Sequence, residues 1–264
     1  MKYIDCKQYA QEILDRVKDA PYKDTLAIIT VGDDRASESY VKGKIKDAEY
    51  CGIKVKHIKI EDTFEAPFKL RRFIDIENEN LNVAGIIVQL PLPKWMGDPS
   101  QYTDLIDPAK DVDGLVRNSY FQPCTPKGIM YLLKNELGDL EGKSALVIGR
   151  SNLVGKPLAQ MLLDANCTVT VAHSKTPKLL LEDICYSVDI VVCAVGKPNF
   201  LDLKHCNGIV VDVGINRDEN GKLCGDCYGF DDKLFDWVSV TPVPGGVGLL
   251  TRAMLMQNVL DATY

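Results

Sequence analysis

One segment, ALVIGRSNLVGKPLAQMLL (145–163), constrains the fold of this chain more than any other. Its apolar run up to Ile148 ends at Gly149, a polar turn follows, and Gly155 begins an amphipathic pattern of helical period. This order predicts a buried strand, a tight turn and a helix whose N-terminal N–H groups and positive dipole end face one point. The segment therefore predicts an anion-binding turn in an α/β protein.

The glycine spacing within this turn shows which nucleotide-binding motif it resembles. Five residues lie between Gly149 and Gly155, and Pro157 stands where a Walker A loop needs Ser or Thr, which excludes a nucleoside triphosphatase. The turn also departs from G-x-G-x-x-G, because Ser151 replaces the second glycine and the last glycine comes one residue late. Strand, turn and helix are all retained, and they favour a dinucleotide site over an ordinary connection.

The residues after the next predicted strand (167–172) indicate which dinucleotide binds. An NAD site carries an acid about 20 residues after its first glycine to hold the ribose 2′-hydroxyl. Here TVTVAHSK (168–175) contains no carboxylate, and Arg150, Ser174 and Lys175 supply donors suited to a 2′-phosphate. NADP is therefore favoured over NAD, although a bound ion can adapt a positive pocket to NAD.

Strand and helix patterns alternate along the whole chain. Strands are predicted over 25–32, 53–60, 83–88, 145–148, 167–172, 189–195, 208–213 and 237–240, and helices over 5–19, 37–50, 67–76, 127–137, 155–163, 177–187 and 250–260. Such alternation predicts an α/β fold with parallel sheets. A chain of 264 residues is long enough for two domains, and Thr125-Pro126, a predicted capped helix start, marks the hinge.

Charge and hydropathy restrict the class of partner. The net charge of −6 and the absence of a basic run argue against nucleic-acid binding. No apolar run approaches the ~20 residues of a membrane span, and the N-terminus is charged from Lys2 onward, unlike a signal peptide. We therefore expect a cytoplasmic protein with small-molecule partners and no membrane association.

The cysteines and histidines predict no metal site. Nine cysteines, an odd number scattered through apolar segments, fit reduced thiols better than a disulfide framework. Cys224 and Cys227 form a C-x-x-C pair in a Gly-rich connection, without the second pair that a zinc site needs. The three isolated histidines build no metal-ligand spacing.

Candidate ligand-facing residues occur at four places. Tyr40 and Lys44 share a helix face, although spacing alone favours a solvated lysine-rich helix with one half-buried tyrosine. Gln89 stands at the carboxyl end of a strand. Asp113 belongs to DPAKDVDGL (107–115), which lacks EF-hand spacing and therefore predicts a turn with one buried functional aspartate. PGGVG (244–248) offers main-chain N–H groups ahead of the last helix.

Eight segments in this order resemble the bifunctional methylenetetrahydrofolate dehydrogenase/cyclohydrolase family: YVKGKIKDAEYCGI, VQLPLP, KDVDGL, PCTPKG, GRSNLVGKP, HSKT, VVDVGIN and TPVPGGVG. They span Tyr40 to Gly248. The resemblance implies an N-terminal α/β catalytic domain and a Rossmann-like parallel-sheet dinucleotide-binding domain, with folate in an active-site cleft between them. We expect the first domain over 1–120, joined by a C-terminal helix over 249–264, and the NADP domain over 121–245. The resemblance also implies a homodimer.

The family's reaction and residue roles are carried over as expectations. Members oxidise methylenetetrahydrofolate with NADP and hydrolyse the methenyl product to 10-formyltetrahydrofolate. The resemblance makes Lys44 catalytic, Tyr40 a stacking or positioning residue for folate, Gln89 a residue that tunes the lysine, and Asp113 the holder of the pterin. Burial of Lys44 between an aromatic and an uncharged amide would favour its neutral amine.

The remaining expected contacts follow from the same resemblance. The expected folate contacts further include Val88, Leu90, Pro244, Gly245 and Gly246. The expected cofactor contacts are Gly149, Arg150, Ser151, Ser174, Ile215 and Thr125.

Two departures from the family pattern affect these expectations. Leu249 and Leu250 replace the usual Pro and Met, which removes a φ constraint from a loop expected to contact substrate. Gly43, beside Lys44, is expected to cost the helix about 0.5–1 kcal/mol relative to Ala.

Two alternatives stay open from the sequence. One is another NADP dehydrogenase of similar domain plan, resembling shikimate dehydrogenase, which would transfer hydride without folate. The other is a folate-binding protein that has lost catalysis, against which the retention of Lys44, Gln89 and Asp113 argues. An assay with methylenetetrahydrofolate and NADP separates all three.

Overall fold

The computed structural model describes residues 1–21, 24–230 and 237–263. The helices are α1 (Cys6–Asp19), α2 (Arg35–Cys51), α3 (Ala66–Glu79), α4 (Ser100–Thr103), α5 (Cys124–Leu137), α6 (Gly155–Asp164), α7 (Lys178–Ser187) and α8 (Val247–Asp261). The strands are β1 (Lys2–Tyr3), β2 (Thr25–Val31), β3 (Lys54–Ile60), β4 (Val83–Val88), β5 (Ser144–Ile148), β6 (Thr168–Ala172), β7 (Ile190–Cys193), β8 (Leu201–Asp202), β9 (Gly208–Asp212), β10 (Asn216–Arg217), β11 (Leu223–Cys224), β12 (Cys227–Tyr228) and β13 (Val238–Val240). Within the described ranges, no helix has both the length and the apolar character needed to cross a membrane.

The chain divides into two compact units. The three-stranded unit comprises Gln11–Cys124 and Arg252–Tyr264, and the six-stranded unit comprises Met1–Ala10 and Thr125–Thr251. The sequence predicted that residues 1–10 belong to the 1–120 domain. They belong to the six-stranded unit instead, because β1 pairs in parallel with β13 of that unit. Tyr264, the end of the predicted returning segment 249–264, lies outside the described residues.

The sheet of the three-stranded unit is parallel, with strand order β3-β2-β4. Every residue of β4 is buried, as its unbroken apolar sequence predicts for a strand covered on both faces. Strand β3, at an edge, keeps exposed side chains such as Lys54 and Lys56. Because the strands are parallel, the residues that follow β2 and β4 come to one edge of this sheet.

The sheet of the six-stranded unit is also parallel, with strand order β1-β13-β9-β7-β5-β6. The chain runs from β5 to β6 on one side of β5, and then returns to place β7 on the other side. The direction of winding therefore reverses between β5 and β7. In open parallel sheets this reversal opens a crevice at the carboxyl ends of the two strands, and ligands bind there.

Two of the helix starts that differ from the sequence predictions change the role of a residue. Helix α5 begins at Cys124, so Thr125 is not its cap, and the Thr125 hydroxyl lies 3.0 Å from the Thr251 hydroxyl instead. Helix α8 begins at Val247 rather than Leu250, and the Leu249 N–H donates to the Gly246 carbonyl at 3.0 Å. The expectation that Leu249 leaves a loop freer than proline would is therefore wrong, because Leu249 already lies in the first turn of a helix.

Candidate active site and cofactor cavity

Helix α2 carries the candidate catalytic lysine on its buried face. Asp34 caps its N-terminus by accepting a hydrogen bond from the Ser37 N–H at 2.7 Å, and Gly52 ends it in the left-handed conformation with φ of 75°. Lys44 is only 3% exposed, one turn from the fully buried Ala48. A solvated helix face therefore does not describe Lys44.

Two side chains face the Lys44 amine. Asp113 Oδ2 lies 4.0 Å from Nζ, and the centroid of the Tyr40 ring lies 5.5 Å from it. The structure thus brings together three of the four predicted catalytic residues. The sequence predicted that Lys44 lies between an aromatic ring and the uncharged amide of Gln89. Among the described contacts, the aromatic ring of Tyr40 is present, but the carboxylate of Asp113 stands in place of the amide. A cation held by a carboxylate and an aromatic face occupies a fixed position.

Close packing of one loop on β4 puts Asp113 beside the lysine. A Cβ atom at Gly85 would lie 2.6 Å from both methyl groups of Val112, so only glycine allows this approach. The Ile86 N–H donates to the Lys110 carbonyl at 2.8 Å. The Lys110 ammonium in turn donates to three main-chain carbonyls at the end of α3, at 2.7–2.9 Å. The loop that carries Asp113 is therefore attached to both the strand and the helix beside it.

The buried aspartate of this loop is Asp111, not Asp113. Asp111 is 1% exposed and accepts a hydrogen bond from the Val116 N–H at 2.8 Å, whereas the Asp113 side chain is 22% exposed. Burial raises the pKa of Asp111 to about 6. The sequence predicted one aspartate that is both buried and functional. The structure divides these properties between two residues: Asp111 is buried and shapes the turn, and the half-buried Asp113 faces Lys44.

Asp111→Asn is expected to remove a pH dependence of stability. The folded-state pKa of about 6 lies above the ordinary value, so the folded protein holds the proton more tightly than the unfolded chain, and stability falls as pH rises through this range. Between pH 5 and 7.5 the unfolding free energy of the wild type should fall by about 1 kcal/mol relative to Asp111→Asn. Urea unfolding at several pH values measures this difference in unfolding free energy. If the unfolding free energies of the two proteins change with pH in parallel, Asp111 does not have a raised pKa.

Gln89 follows β4 and borders a cavity of the three-stranded unit. Its Nε2 donates to the Leu90 carbonyl at 2.7 Å, while its Oε1 is buried without a hydrogen-bond partner among the described residues. It borders a cavity of about 310 Å³ that is also lined by Ser37 and by His57, whose pKa is lowered by burial. A buried acceptor without a partner is available to a substrate or a water molecule.

Val88 and Leu90 differ from Gln89 in the direction of their side chains. Val88 is 2% exposed and packs in the core of the three-stranded unit, and half-buried Leu90 packs against the same core. Any substrate contact of Val88 therefore comes from its main chain.

The glycines of the predicted anion-binding turn are required by backbone contacts. Gly149 has φ of 126°, and a Cβ atom there would lie 2.3 Å from the Ala194 carbonyl oxygen. A Cβ atom at Gly155 would lie 2.3 Å from the Gly149 carbonyl oxygen. Ser151 Oγ accepts hydrogen bonds from the N–H groups of Val154 at 3.1 Å and Gly155 at 3.4 Å. The serine that replaces the second glycine thus stabilises the start of α6.

A cavity of about 670 Å³ opens where the strand order of the six-stranded sheet reverses. Its lining brings together four of the predicted cofactor residues, namely Gly149, Arg150, Ser151 and Ser174. Thr125 and Ile215 are not among its described lining residues; Thr125 pairs with Thr251, and Ile215 is 61% exposed.

The charge of this cavity suits a phosphorylated ligand. Its lining contains four cations, Arg150, Lys178, Lys197 and Lys204, against two carboxylates. Both carboxylates are paired: Glu182 lies 3.7 Å from the Lys178 ammonium, and Asp202 lies 2.8 Å from the Lys204 ammonium. The excess of cations in the lining therefore favours a ligand that carries phosphate groups.

Asp226 orders the loop after β7, and sequence reasoning missed it. This residue is fully buried, and its carboxylate accepts hydrogen bonds from the N–H groups of Val195 at 2.7 Å, Gly196 at 3.0 Å and Lys197 at 2.8 Å. The Asn216 amide donates to it as well, at 2.8 Å. Since Val195 and Lys197 line the cavity, Asp226 shapes the cavity wall without lining it. A lone acid in CGDC belongs to no spacing pattern that could have indicated this role.

A second buried aspartate holds the first in place. Asp212, in the VVDVGIN segment, accepts hydrogen bonds from the N–H groups of Gly214, Asp226 and Cys227, each at 2.9 Å. Burial raises the pKa of Asp212. Asp212, at the end of β9, thus binds the main chain of Asp226, and the Asp226 carboxylate binds the loop after β7.

The residues predicted to contact folate from the six-stranded unit precede α8. Pro244 and Gly245 are exposed, and Gly245 has φ of 95°, a conformation that favours glycine. Gly246 is buried, and a Cβ atom there would lie 2.1 Å from the Pro242 carbonyl oxygen. The glycines of this segment therefore form a tight turn, whatever ligand it contacts.

Two family models match the chain in succession. The catalytic domain of tetrahydrofolate dehydrogenase/cyclohydrolase matches residues 4–113, and the NAD(P)-binding domain of the same family matches residues 123–264.

Individual relatives match over nearly the full length. The bifunctional protein FolD of Agathobacter rectalis is 43% identical over 98% of both chains. The crystal structure of the bifunctional methylenetetrahydrofolate dehydrogenase/cyclohydrolase FolD from Campylobacter jejuni is 38% identical, with a TM-score of 0.91 over 100% of this chain and 98% of that one. The Trypanosoma brucei enzyme, complexed with NADP and an inhibitor, is 31% identical, with a TM-score of 0.87 over 99% and 96%.

A shikimate dehydrogenase also shares the fold. The enzyme from Thermus thermophilus is 18% identical, with a TM-score of 0.51 over 90% of this chain and 99% of that one. This likeness extends to the fold alone and does not favour the shikimate-dehydrogenase alternative.

Proposed function

The chain belongs to the tetrahydrofolate dehydrogenase/cyclohydrolase family, and we propose that Lys44, with Asp113 and Tyr40 beside it, carries the hydrolytic step of its reaction. The protein is a bifunctional enzyme of one-carbon metabolism. It oxidises 5,10-methylenetetrahydrofolate to 5,10-methenyltetrahydrofolate with NADP, and hydrolyses that product to 10-formyltetrahydrofolate. The observation that supports the residue assignment is the buried Lys44 amine, 4.0 Å from a carboxylate and 5.5 Å from an aromatic ring centroid.

In the first half-reaction these side chains bind and orient folate. Asp113 presents an acceptor-only carboxylate that matches the N–H edge of the amino-pyrimidine ring of the pterin. Tyr40 presents an aromatic face to the flat ring system. NADP, when bound, supplies a nicotinamide that accepts hydride from the carbon bridging N5 and N10. The contribution of these residues to this step is positioning.

In the second half-reaction Lys44 moves protons. Water adds to the cationic methenyl carbon and loses a proton, N5 gains a proton, and the bond between the carbon and N5 breaks as the hydroxyl loses its proton. The formyl group stays on N10, and one proton is released overall. A single amine placed beside the reacting carbon can serve each of these transfers in turn. Gln89, whose buried Oε1 has no hydrogen-bond partner in the described part of the chain, is proposed to hold the water or the lysine in position.

An assay tests the proposed activity directly. Purified protein with methylenetetrahydrofolate and NADP should produce NADPH and a transient methenyl absorbance that decays to the formyl product. Hydride transfer to shikimate-like polyols, or folate binding without turnover, would instead support one of the two alternatives.

We propose that the cavity of about 670 Å³ holds NADP. Gly149 and Ser151 would place the main chain of the turn at the pyrophosphate, and Arg150 and Ser174 would bind the 2′-phosphate. Thr125 and Ile215 stay as proposed cofactor contacts from outside the described lining. Val88 stays as a proposed folate contact through its main chain. Leu90, Pro244, Gly245 and Gly246 also stay as proposed folate contacts.

Arg150→Ala is expected to raise the KM for NADP about 10- to 100-fold and to leave the KM for NAD nearly unchanged. A hydrogen bond to a charged group contributes about 1.5–3 kcal/mol, and only NADP carries the 2′-phosphate. Steady-state kinetics with both dinucleotides measure it. The matched control is Arg217→Ala, since the exposed Arg217 donates to the Gly221 carbonyl within its own hairpin. An equal rise in KM for NAD and for NADP would show that Arg150 does not bind the 2′-phosphate.

We further propose a cytoplasmic homodimer whose catalytic domain comes from the predicted segments 1–120 and 249–264, except for the first ten residues, and whose NADP domain comes from 121–245. All nine cysteines are free, the state that a reducing compartment maintains, which supports the location. The homodimer rests on the family resemblance, and light scattering after gel filtration tests it.

A further inference from the structure

The last helix places the Arg252 side chain against α2, at the residue next to the catalytic lysine. A Cβ atom at Gly43 would lie 1.8 Å from Nη1 of Arg252 and 2.8 Å from its Cζ. The Arg252 guanidinium therefore occupies the space that any side chain at position 43 would need. Gly43, which the sequence presents as a weakness of the helix, leaves the space on α2 that the Arg252 side chain of α8 fills.

An ion pair without hydrogen-bond geometry keeps the guanidinium beside Asp47. Arg252 Nε lies 3.0 Å from Asp47 Oδ2, with the two side chains 22% and 12% exposed. Asp47 follows Gly43 by four residues, so both lie on one face of α2. Because an unpaired charge is costly to bury, each partner restrains the other.

The same helix also holds the loop that carries Asp113. Asn258 is fully buried, and its Nδ2 donates to the Val112 carbonyl at 2.9 Å and to the Gln122 carbonyl at 3.3 Å. These two carbonyls precede and follow Asp113 along the chain. Arg252 and Asn258 are six residues apart, or ~9 Å along the helix axis.

We infer that residues 252–261 of α8 act as a brace that sets the distance between the Lys44 amine and the Asp113 carboxylate, with Arg252 and Asn258 as positioning residues. One end of the brace rests on the backbone of α2 beside Lys44, and the other holds the main chain on both sides of Asp113. The two reacting side chains come from segments about 70 residues apart, and α8 contacts both. The inference rests on the proposed function, because it assigns these residues to the hydrolytic step.

The test is a double-mutant cycle on methenyltetrahydrofolate hydrolysis. Gly43→Ala should lower kcat a few-fold, because the new methyl group displaces the Arg252 guanidinium from its place beside Asp47. Helix propensity predicts the opposite direction, since alanine favours a helix over glycine. Arg252→Ala should lower kcat a few-fold. In the double variant, Gly43→Ala with Arg252→Ala, the methyl group meets no guanidinium, so kcat should match that of Arg252→Ala alone.

Asn258→Asp tests the other end of the brace. The substitution keeps the shape and removes the donor, so kcat should fall while the KM for NADP stays at the wild-type value. Gln257→Ala is the matched control: this neighbouring amide donates to Asp261 of its own helix. Thermal melts of all variants accompany the kinetics, and the kcat losses should exceed any that an equally destabilised surface variant shows.

The outcomes separate the brace from the proposed function. If the wild type does not hydrolyse the methenyl substrate, the proposed function fails. If the wild type is active but the effects of Gly43→Ala and Arg252→Ala multiply, or Asn258→Asp hydrolyses at the wild-type rate, the brace is overturned and the function stands.

Discussion

Lys44→Met is expected to lower hydrolysis of methenyltetrahydrofolate by ~10²–10⁴-fold, the usual contribution of a positioned acid or base. Methionine keeps the length of the side chain and removes only the amine that faces Asp113 at 4.0 Å. Water can still reach the cationic carbon, but the proton transfers then depend on solvent. Dehydrogenation should lose less, because hydride transfer depends mainly on how folate and the nicotinamide are positioned.

The decay of methenyl absorbance with purified, folded enzyme measures this effect. Lys46→Met is the matched control, because Lys46 lies two residues further along α2 with an exposed side chain. Circular dichroism and NADP binding confirm that each variant is folded. Hydrolysis by Lys44→Met at the wild-type rate would remove Lys44 from the mechanism and leave its burial as a structural feature only.

Asp226→Asn is expected to raise the dissociation constant of NADP by ~10–100-fold or more. The carboxylate accepts four hydrogen bonds, from the N–H groups of Val195, Gly196 and Lys197 and from the Asn216 amide. An amide at this position turns one acceptor into a donor that faces other donors. Each lost hydrogen bond to a charged acceptor costs about 1.5–3 kcal/mol, and the loop that would move lines the cofactor cavity.

Asp189→Asn is the matched control for this prediction. Asp189 likewise accepts from a main-chain N–H and a side chain of the same sheet, both of Ser144, and these hydrogen bonds lower the pKa of its carboxyl group. It lies at the start of β5 and β7, away from their carboxyl ends, so its loss should affect stability without affecting NADP binding. Isothermal titration with NADP measures both variants. Equal losses of affinity in the two would show that Asp226 acts only through overall stability.

The sequence by itself determined the fold class, the positions of most elements and the family. Buried strands such as β4 appear as unbroken apolar runs, and the Gly149 turn is recognised from glycine spacing, because both signals lie within one short window of the chain. The shared face of Tyr40 and Lys44 follows from helical geometry alone. Local patterns of this kind need no knowledge of what packs against them.

Tertiary structure alone decided which side chains meet. Gly85 lets the loop that carries Asp113 pack against β4, near Lys44. Gly43 leaves space for Arg252, which is more than 200 residues away in the chain. Asp226 lies in no recognisable motif, yet it orders the wall of the proposed cofactor cavity. The physical reason is common to all three: periodicity and turn chemistry act between near neighbours, whereas close approach and buried hydrogen bonds arise when distant segments pack.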